Sequence, residues 1–367
     1  MKFDVLIIGG GLAGLTCGIR LQKNGVKCAI VSTGQSALHF SSGSFDLLNE
    51  LPDGTKVDNP MAAVGKVSAN HPYAKLGSEF AYYVHEAKQQ FLDLGIEVAG
   101  DAEQNHLRIT PMGTLKPTWL TFSDFTPFSS VSDMAGKKIR VVNMAGFLDF
   151  NTKFVADSFE KYGAKCQISS INLPELERLR ISPTEMRSTN IARVLENEKT
   201  LEALIMELAG TVSGFDVVAL PAVFGLSSVA PVRRLKEALN IPVWLIPTMP
   251  PSVPGIRAQQ QLRRSFEELG GVYMLGDTVV KADFKGNKVQ SVYSVNHGDI
   301  SFVAENFVLA SGSYFSNGLI AQPDKVIEPV FGSDVDFTPG RDACRRRIRP
   351  IRRSGRRKSG CVEPVEK

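Results

Sequence analysis

The sequence is short of the features that mark several classes of protein. Its five cysteines, Cys17, Cys28, Cys166, Cys344 and Cys361, show no C-x-x-C spacing and no neighbouring histidine pattern, which argues against iron–sulfur and zinc sites and fits a reducing compartment. No apolar run approaches the ~18 residues needed to cross a bilayer, and Met1 leads into strand-like residues without a charged, cleavable leader. A cytosolic protein is expected, at most peripheral on a membrane. Internal repeats are absent as well, so solenoids and propellers are excluded.

What is present is ordinary for a folded protein. Hydrophobic residues make up 43% and charged residues 22% of the chain, which excludes disordered and fibrous classes. A chain of 367 residues exceeds the roughly 100–200 usual for one domain, so two domains, or one with an insertion, are expected. The net charge of +4 is unevenly spread: residues 340–367 hold nine Arg and two Lys against Asp342, Glu363 and Glu366, giving +8, which leaves −4 for the rest. A body of that sign is not expected to bind nucleic acid.

Phe3 to Ile8 is a nearly continuous apolar run, as expected of a parallel strand buried on both faces. Gly9 to Gly14 follows, then a helical pattern from Leu15 to Asn24 closed by Gly25, and a second strand at Lys27–Val31. Further along, helices are expected at Tyr82–Leu94 and Leu148–Tyr162, and strands at Ile139–Val142 and Phe215–Leu220. This middle third alternates α and β and reads as an inserted capping domain. A helix from about Arg257 through Leu262, Phe266 and Leu269 leads into strands at Val272–Leu275, Thr278–Phe284, Val289–Val295, Ser301–Ala304 and Asn306–Ala310, with a hairpin turn at Gly286-Asn287. The expected fold is α/β. It comprises a Rossmann-like nucleotide-binding domain of the glutathione-reductase type, a parallel sheet with a β-meander, carrying an inserted second α/β domain. The expected boundaries are 1–48 with 257–339, then 49–256, then the Arg-rich tail 340–367. That tail has no period of 2 or 3.6 and little to bury, so it is expected to be disordered.

Gly9-Gly10-Gly11-Leu12-Ala13-Gly14 has the spacing G-x-G-x-x-G between a strand and a helix, where it is a strong signal. Gly9 permits the turn, Gly11 lets backbone approach a phosphate, and Gly14 allows close helix–strand packing, while the helix N-terminus supplies N–H donors; Leu12 and Ala13 of the turn are counted with the cofactor-binding residues. Ser32 stands at the end of the second strand, where a carboxylate usually binds a ribose hydroxyl. This weakens NAD and ordinary FAD relative to FMN, or to FAD held differently. The following stretch offers donors from Gly34, Ser41, Ser42 and Gly43 to a flavin ring. His39 lies where a reactive or flavin-attached histidine would sit, its alternative being a hydrogen-bonding loop residue. Arg257 suits an anionic group, its alternative being a solvated arginine at a helix start.

The segments KFDVLIIGGGLAGL, GQSALHFSSGS, RITPMGTLKPTWL, LPAVFGL, PPSVPGIR and FVLASGSYFSNGL closely resemble the B subunits of anaerobic glycerol-3-phosphate dehydrogenases, from residue 1 to about 339. The stretch ending in Ser311-Gly312 is similar to the strand-end A-T-G of glutathione-reductase-type flavoproteins, which adds Gly312 to the flavin site. The resemblance implies oxidation of sn-glycerol 3-phosphate to dihydroxyacetone phosphate with electrons passed to quinone. It further implies FMN, with FAD as the alternative, and two partners: a flavin-bearing A subunit and an iron–sulfur C subunit at the inner membrane. A non-catalytic assembly or electron-relay subunit of the same complex is the competing reading. The resemblance stops near residue 339, and the Arg-rich end reads as an aberrant, truncated or frame-shifted terminus, its alternative being a basic tail for nucleic acid or a membrane surface.

Overall fold

The computed structural model describes residues 1–182, 184–322, 325–333 and 335; the Arg-rich tail and its expected disorder lie outside the described residues. The chain opens with strand β1 (Lys2–Ile8), helix α1 (Leu12–Lys23) and strand β2 (Cys28–Ser32), β1 and β2 pairing in parallel. Successive β1 side chains enter two different cores, Val5 and Ile7 on one face and Leu6 and Ile8 on the other. This is why the strand reads as an unbroken apolar run rather than an alternation. Helix α1 begins one turn earlier than the apolar periodicity suggests. Gly11 is its N-cap, so the glycine turn is itself the first turn of the helix.

The middle of the chain begins with β3 (Ser44–Phe45) and a helix at Phe80–Asp93. β4 (Val98–Ala99), β5 (His106–Ile109), β6 (Leu115–Thr118) and β7 (Leu120–Phe122) follow. β3, β7 and β4 form one small antiparallel sheet, while β5 and β6 form a hairpin. Next come β8 (Lys138–Met144), a helix at Thr152–Lys161, β9 (Lys165–Ile171), β10 (Val217–Pro221) and β11 (Val243–Ile246). These four strands make a second, wholly parallel sheet in the order β11-β10-β8-β9. The helix expected from Leu148 starts at Thr152 because Asn151 caps it, its side chain accepting from the Phe154 N–H at 3.1 Å.

A helix at Val253–Glu268, capped by Ser252, then returns the chain to the first sheet and runs through the expected boundary between 256 and 257. β12 (Val272–Leu275) pairs in parallel with β2, and β13 (Val279–Lys285) and β14 (Lys288–Ser294) form the meander. β15 (Phe302–Leu309) closes it, for a six-stranded order of β12-β2-β1-β15-β14-β13. The two strands expected at 301–304 and 306–310 are one. β15 pairs with β1 from Val303 to Leu309, so the ladder carries the chain through the polar Glu305-Asn306 without a break. Among the described residues no helix is long and apolar enough to cross a membrane, and no cluster of His, Cys, Asp or Glu could hold a metal ion.

Candidate functional site

The carboxyl ends of β1, β2 and β15 meet at the glycine turn, and its glycines are required for different reasons. Gly9 has φ +113°, and a Cβ there would lie 2.2 Å from the Ala310 carbonyl oxygen at the end of β15. A Cβ on Gly14 would lie 1.9 Å from the Gly9 oxygen, so that glycine lets α1 sit against β1. Gly10 is held from above: the Tyr273 hydroxyl donates to its carbonyl at 3.1 Å. Gly11 is different. Its backbone is ordinary, with φ −80°, and the nearest atom to a Cβ would be Ser36 Cβ at 3.7 Å. Nothing in the protein demands glycine at this position, whereas a phosphate resting on the helix N-terminus would.

The space Gly11 leaves open belongs to a cavity of about 850 Å³. Of the residues expected from the sequence, Gly9, Gly11, Leu12, Ala13, Ser32, Gly34, Ser41 and Gly312 line it. Among the described lining residues none is Asp, Glu, Lys, Arg or His. An anionic group here must be held by backbone N–H groups, the α1 dipole and hydroxyls rather than by an ion pair. The cap is suited to this: Gly11 offers no side chain to the first-turn N–H groups, which leaves them for a ligand oxygen. These features fit the phosphate end of a flavin nucleotide, held by the Gly11–Ala13 backbone.

The remaining expected residues fall elsewhere. Gly14 packs α1 on β1. Ser42 is not among the cavity-lining residues, and Gly43, with φ +84°, is there because a Cβ would overlap the Phe125 ring at 2.0 Å. His39 sits half-buried in the turn Ala37–Phe40, its carbonyl accepting from the Ser252 N–H at 2.7 Å, and burial lowers the imidazole pKa. It does not line the cavity. Arg257 is not a solvated helix-start residue: its side chain is buried and gives two hydrogen bonds of 2.6 Å to Asp124, plus one to the Gly225 carbonyl. It lines a separate pocket of about 230 Å³ with Asp124, so its guanidinium is already committed to a carboxylate. The structure does not bring His39 or Arg257 to the glycine turn.

Several contributors were missed. Ser36 donates to buried Gln259 at 2.7 Å and caps the Ala37–Phe40 turn, holding the loop after β2 against the helix Val253–Glu268. Buried Glu328 accepts from the Val330 and Phe331 N–H groups at 2.7 and 2.8 Å, fixing the Pro329–Val330 wall of the cavity. Gln259 had a signal, a polar residue on the buried stripe of an amphipathic helix. Glu328 had none, since its partners are backbone groups.

Strand ends, glycine turn and uncharged cavity together fit a nucleotide-binding protein of the Rossmann-like, dinucleotide type. A family model described as an FAD binding domain matches residues 4–355. Relatives from Yersinia enterocolitica and Pectobacterium atrosepticum are 44% and 43% identical over 346 residues, covering 93% of this chain and 82% of each relative. One from Actinobacillus succinogenes is 44% identical over 345 residues, covering 91% and 80%. All three are named as the B subunit of anaerobic glycerol-3-phosphate dehydrogenase, and the chain belongs to that family.

Proposed function

We propose that this chain is the flavin-carrying B subunit of an enzyme that oxidises sn-glycerol 3-phosphate to dihydroxyacetone phosphate and delivers the electrons to quinone. Its partners are a flavin-bearing A subunit and an iron–sulfur C subunit, which hold it peripherally at the inner membrane. The observation that carries the reading is the uncharged cavity over the Gly11 cap, in a chain whose relatives bear that subunit's name. When bound, the flavin supplies a two-electron acceptor. The protein's part would be to hold its phosphate at the start of α1, with Ser44 and Phe45 lining the part of the cavity that would take the ring. The described residues of 1–48 and 253–335 form the flavin-binding domain and 49–252 the cap, the helix Val253–Glu268 moving the boundary from 256 to 252. His39 is a scaffold residue of the loop, and Arg257 a structural ion pair.

FAD is favoured over FMN. The cavity continues past Ser32 to Thr278, Val279 and Val280, on the side where the adenosine half of a dinucleotide extends from such a turn, and the family description names FAD. Ser32 donates its hydroxyl proton to the Gly34 carbonyl at 3.0 Å, so toward a ribose it acts only as an acceptor. The Thr33 and Thr278 hydroxyls, bonded to each other at 3.1 Å, line the same end of the cavity and would offer further polar contacts there. Acid extraction and chromatography of the bound flavin test this: FAD is expected, and FMN as the sole product overturns it.

One observation favours the electron-relay reading: no lining residue among those described could serve as a general base. Substrate-dependent bleaching of the flavin in the purified chain supports catalysis here. A stable, unbleached flavin that is reduced only in the complex supports the relay.

A further inference from the structure

Past Ser32 the flavin cavity is walled by Thr33, from the loop after β2, and by Thr278, from the turn between β12 and β13. Their hydroxyls share one hydrogen bond, Thr278 donating to Thr33 at 3.1 Å, which leaves the Thr33 proton free for an acceptor on a ligand. Thr33 is exposed and Thr278 half-buried, so a ligand in the cavity can reach both. A mononucleotide held by its phosphate at the Gly11 cap ends short of this pair, whereas the adenosine half of a dinucleotide extends to it.

The turn that carries Thr278 is held from behind. The Gly276 and Asp277 N–H groups both donate to the Ser32 carbonyl, at 2.8 and 3.2 Å, and the Thr278 carbonyl accepts from the Val295 N–H at 2.9 Å. At the centre lies Asp277, which is buried and is not among the cavity-lining residues. One of its carboxylate oxygens accepts from the Thr278 N–H at 2.9 Å and the Asn296 N–H at 3.0 Å, and the other bonds His297 Nδ1 at 2.9 Å. Asn296 closes the ring, its side-chain amide donating to the Gly276 carbonyl at 2.9 Å. Burial acts to raise the Asp277 carboxyl pKa, but hydrogen bonds from Ser294, Asn296, His297 and Thr278 outweigh it and lower the value, so the group is a charged acceptor at neutral pH. A carboxylate that lies outside the cavity and gives its acceptors to one turn fixes that turn, and with it the place of the Thr278 hydroxyl.

We propose that Asp277 is a positioning residue for cofactor choice: by holding Thr278 against Thr33 it builds the polar end of the cavity that selects a dinucleotide flavin over a mononucleotide. The inference rests on the FAD reading above and deepens it by naming a residue that acts on the cofactor without touching it.

Fluorescence titration of the full, flavin-free chain with FAD and with FMN tests it. The parent is expected to prefer FAD. Asp277→Ala is expected to weaken FAD about tenfold and FMN less than about twofold, and Asp277→Asn, which keeps an acceptor oxygen for the Thr278 and Asn296 N–H groups, to recover most of the loss. Thr278→Val removes the hydroxyl and leaves the anchor of the turn in place; it is expected to weaken FAD alone, about fivefold, and keeps the test open if Asp277→Ala does not fold. A ratio of FAD to FMN affinity that stays at the parent's value in Thr278→Val or in folded Asp277→Ala overturns the inference and leaves the FAD reading standing. A folded parent that binds the two flavins equally, or binds neither, overturns the FAD reading and this inference with it.

Discussion

At Ser32 a hydroxyl replaces the carboxylate that usually clamps a ribose, and the side chain is buried at the edge of the cavity. A carboxylate there would accept with two charged oxygens where the serine has one neutral one, and a hydrogen bond to a charged group is worth roughly 1.5–3 kcal/mol. Ser32→Glu is therefore expected to tighten FAD binding about tenfold and to leave FMN binding unchanged, as read by fluorescence titration of the flavin-free chain. His39 and His106 carry a different expectation. Burial lowers both imidazole pKa values from 6.5, helped at His106 by the Arg108 charge. The unfolded chain then binds more protons than the folded one just below pH 6.5, so stability is complete above that value and is lost as pH falls through it. The melting temperature is expected to drop between pH 7.5 and pH 5.5, and His106→Gln to shrink that drop; an equal drop in the variant would show that His106 is not a group responsible for it.

Among the elements, the helix Val253–Glu268 joins the most parts of the molecule. Through Ser36 and Gln259 it holds the loop after β2, through Phe266 it meets α1 at Gly18, and through Arg257 it is tied to Asp124 just beyond β7. The Arg257–Asp124 pair is buried on both sides, so removing one partner strands a charge rather than deleting a weak surface contact. Arg257→Met is expected to cost about 3–5 kcal/mol in denaturant unfolding. A loss under 1 kcal/mol would show that the pair is not the clamp described here. Elements buried on one clear pattern were legible in the sequence, as with β1, whose apolar run has both faces covered. Edge strand β9 was not, because Lys165, Gln167 and Ile168 leave it largely exposed and without an apolar stripe. Strand β15 was split in two for the same kind of reason: Glu305 interrupts the apolar run, while the parallel ladder with β1 does not notice it.

For the whole molecule, the six-stranded sheet with its meander and the second parallel sheet follow the expected architecture, and Gly9 and Gly11 of the glycine turn line the cavity of about 850 Å³. The sequence could not show that His39 and Arg257 lie away from that cavity, because their positions depend on contacts more than 100 residues distant, to Ser252 and Asp124. Nor could it show that Nε and Nη1 of Arg108 are buried without a partner, since an orphaned donor is a property of packing and not of composition. One turn, capped by a glycine that the protein itself does not need, is the feature on which flavin binding depends in this reading. The flavin content of Gly11→Val beside the parent tests this most directly. A Cβ at this position makes only an ordinary contact with Ser36 in the protein, whereas a side chain there would occupy the place of the phosphate in the complex. The variant is expected to keep the parent's far-ultraviolet circular dichroism and to retain no flavin absorbance. Equal flavin in the two proteins would contradict a phosphate site at this turn.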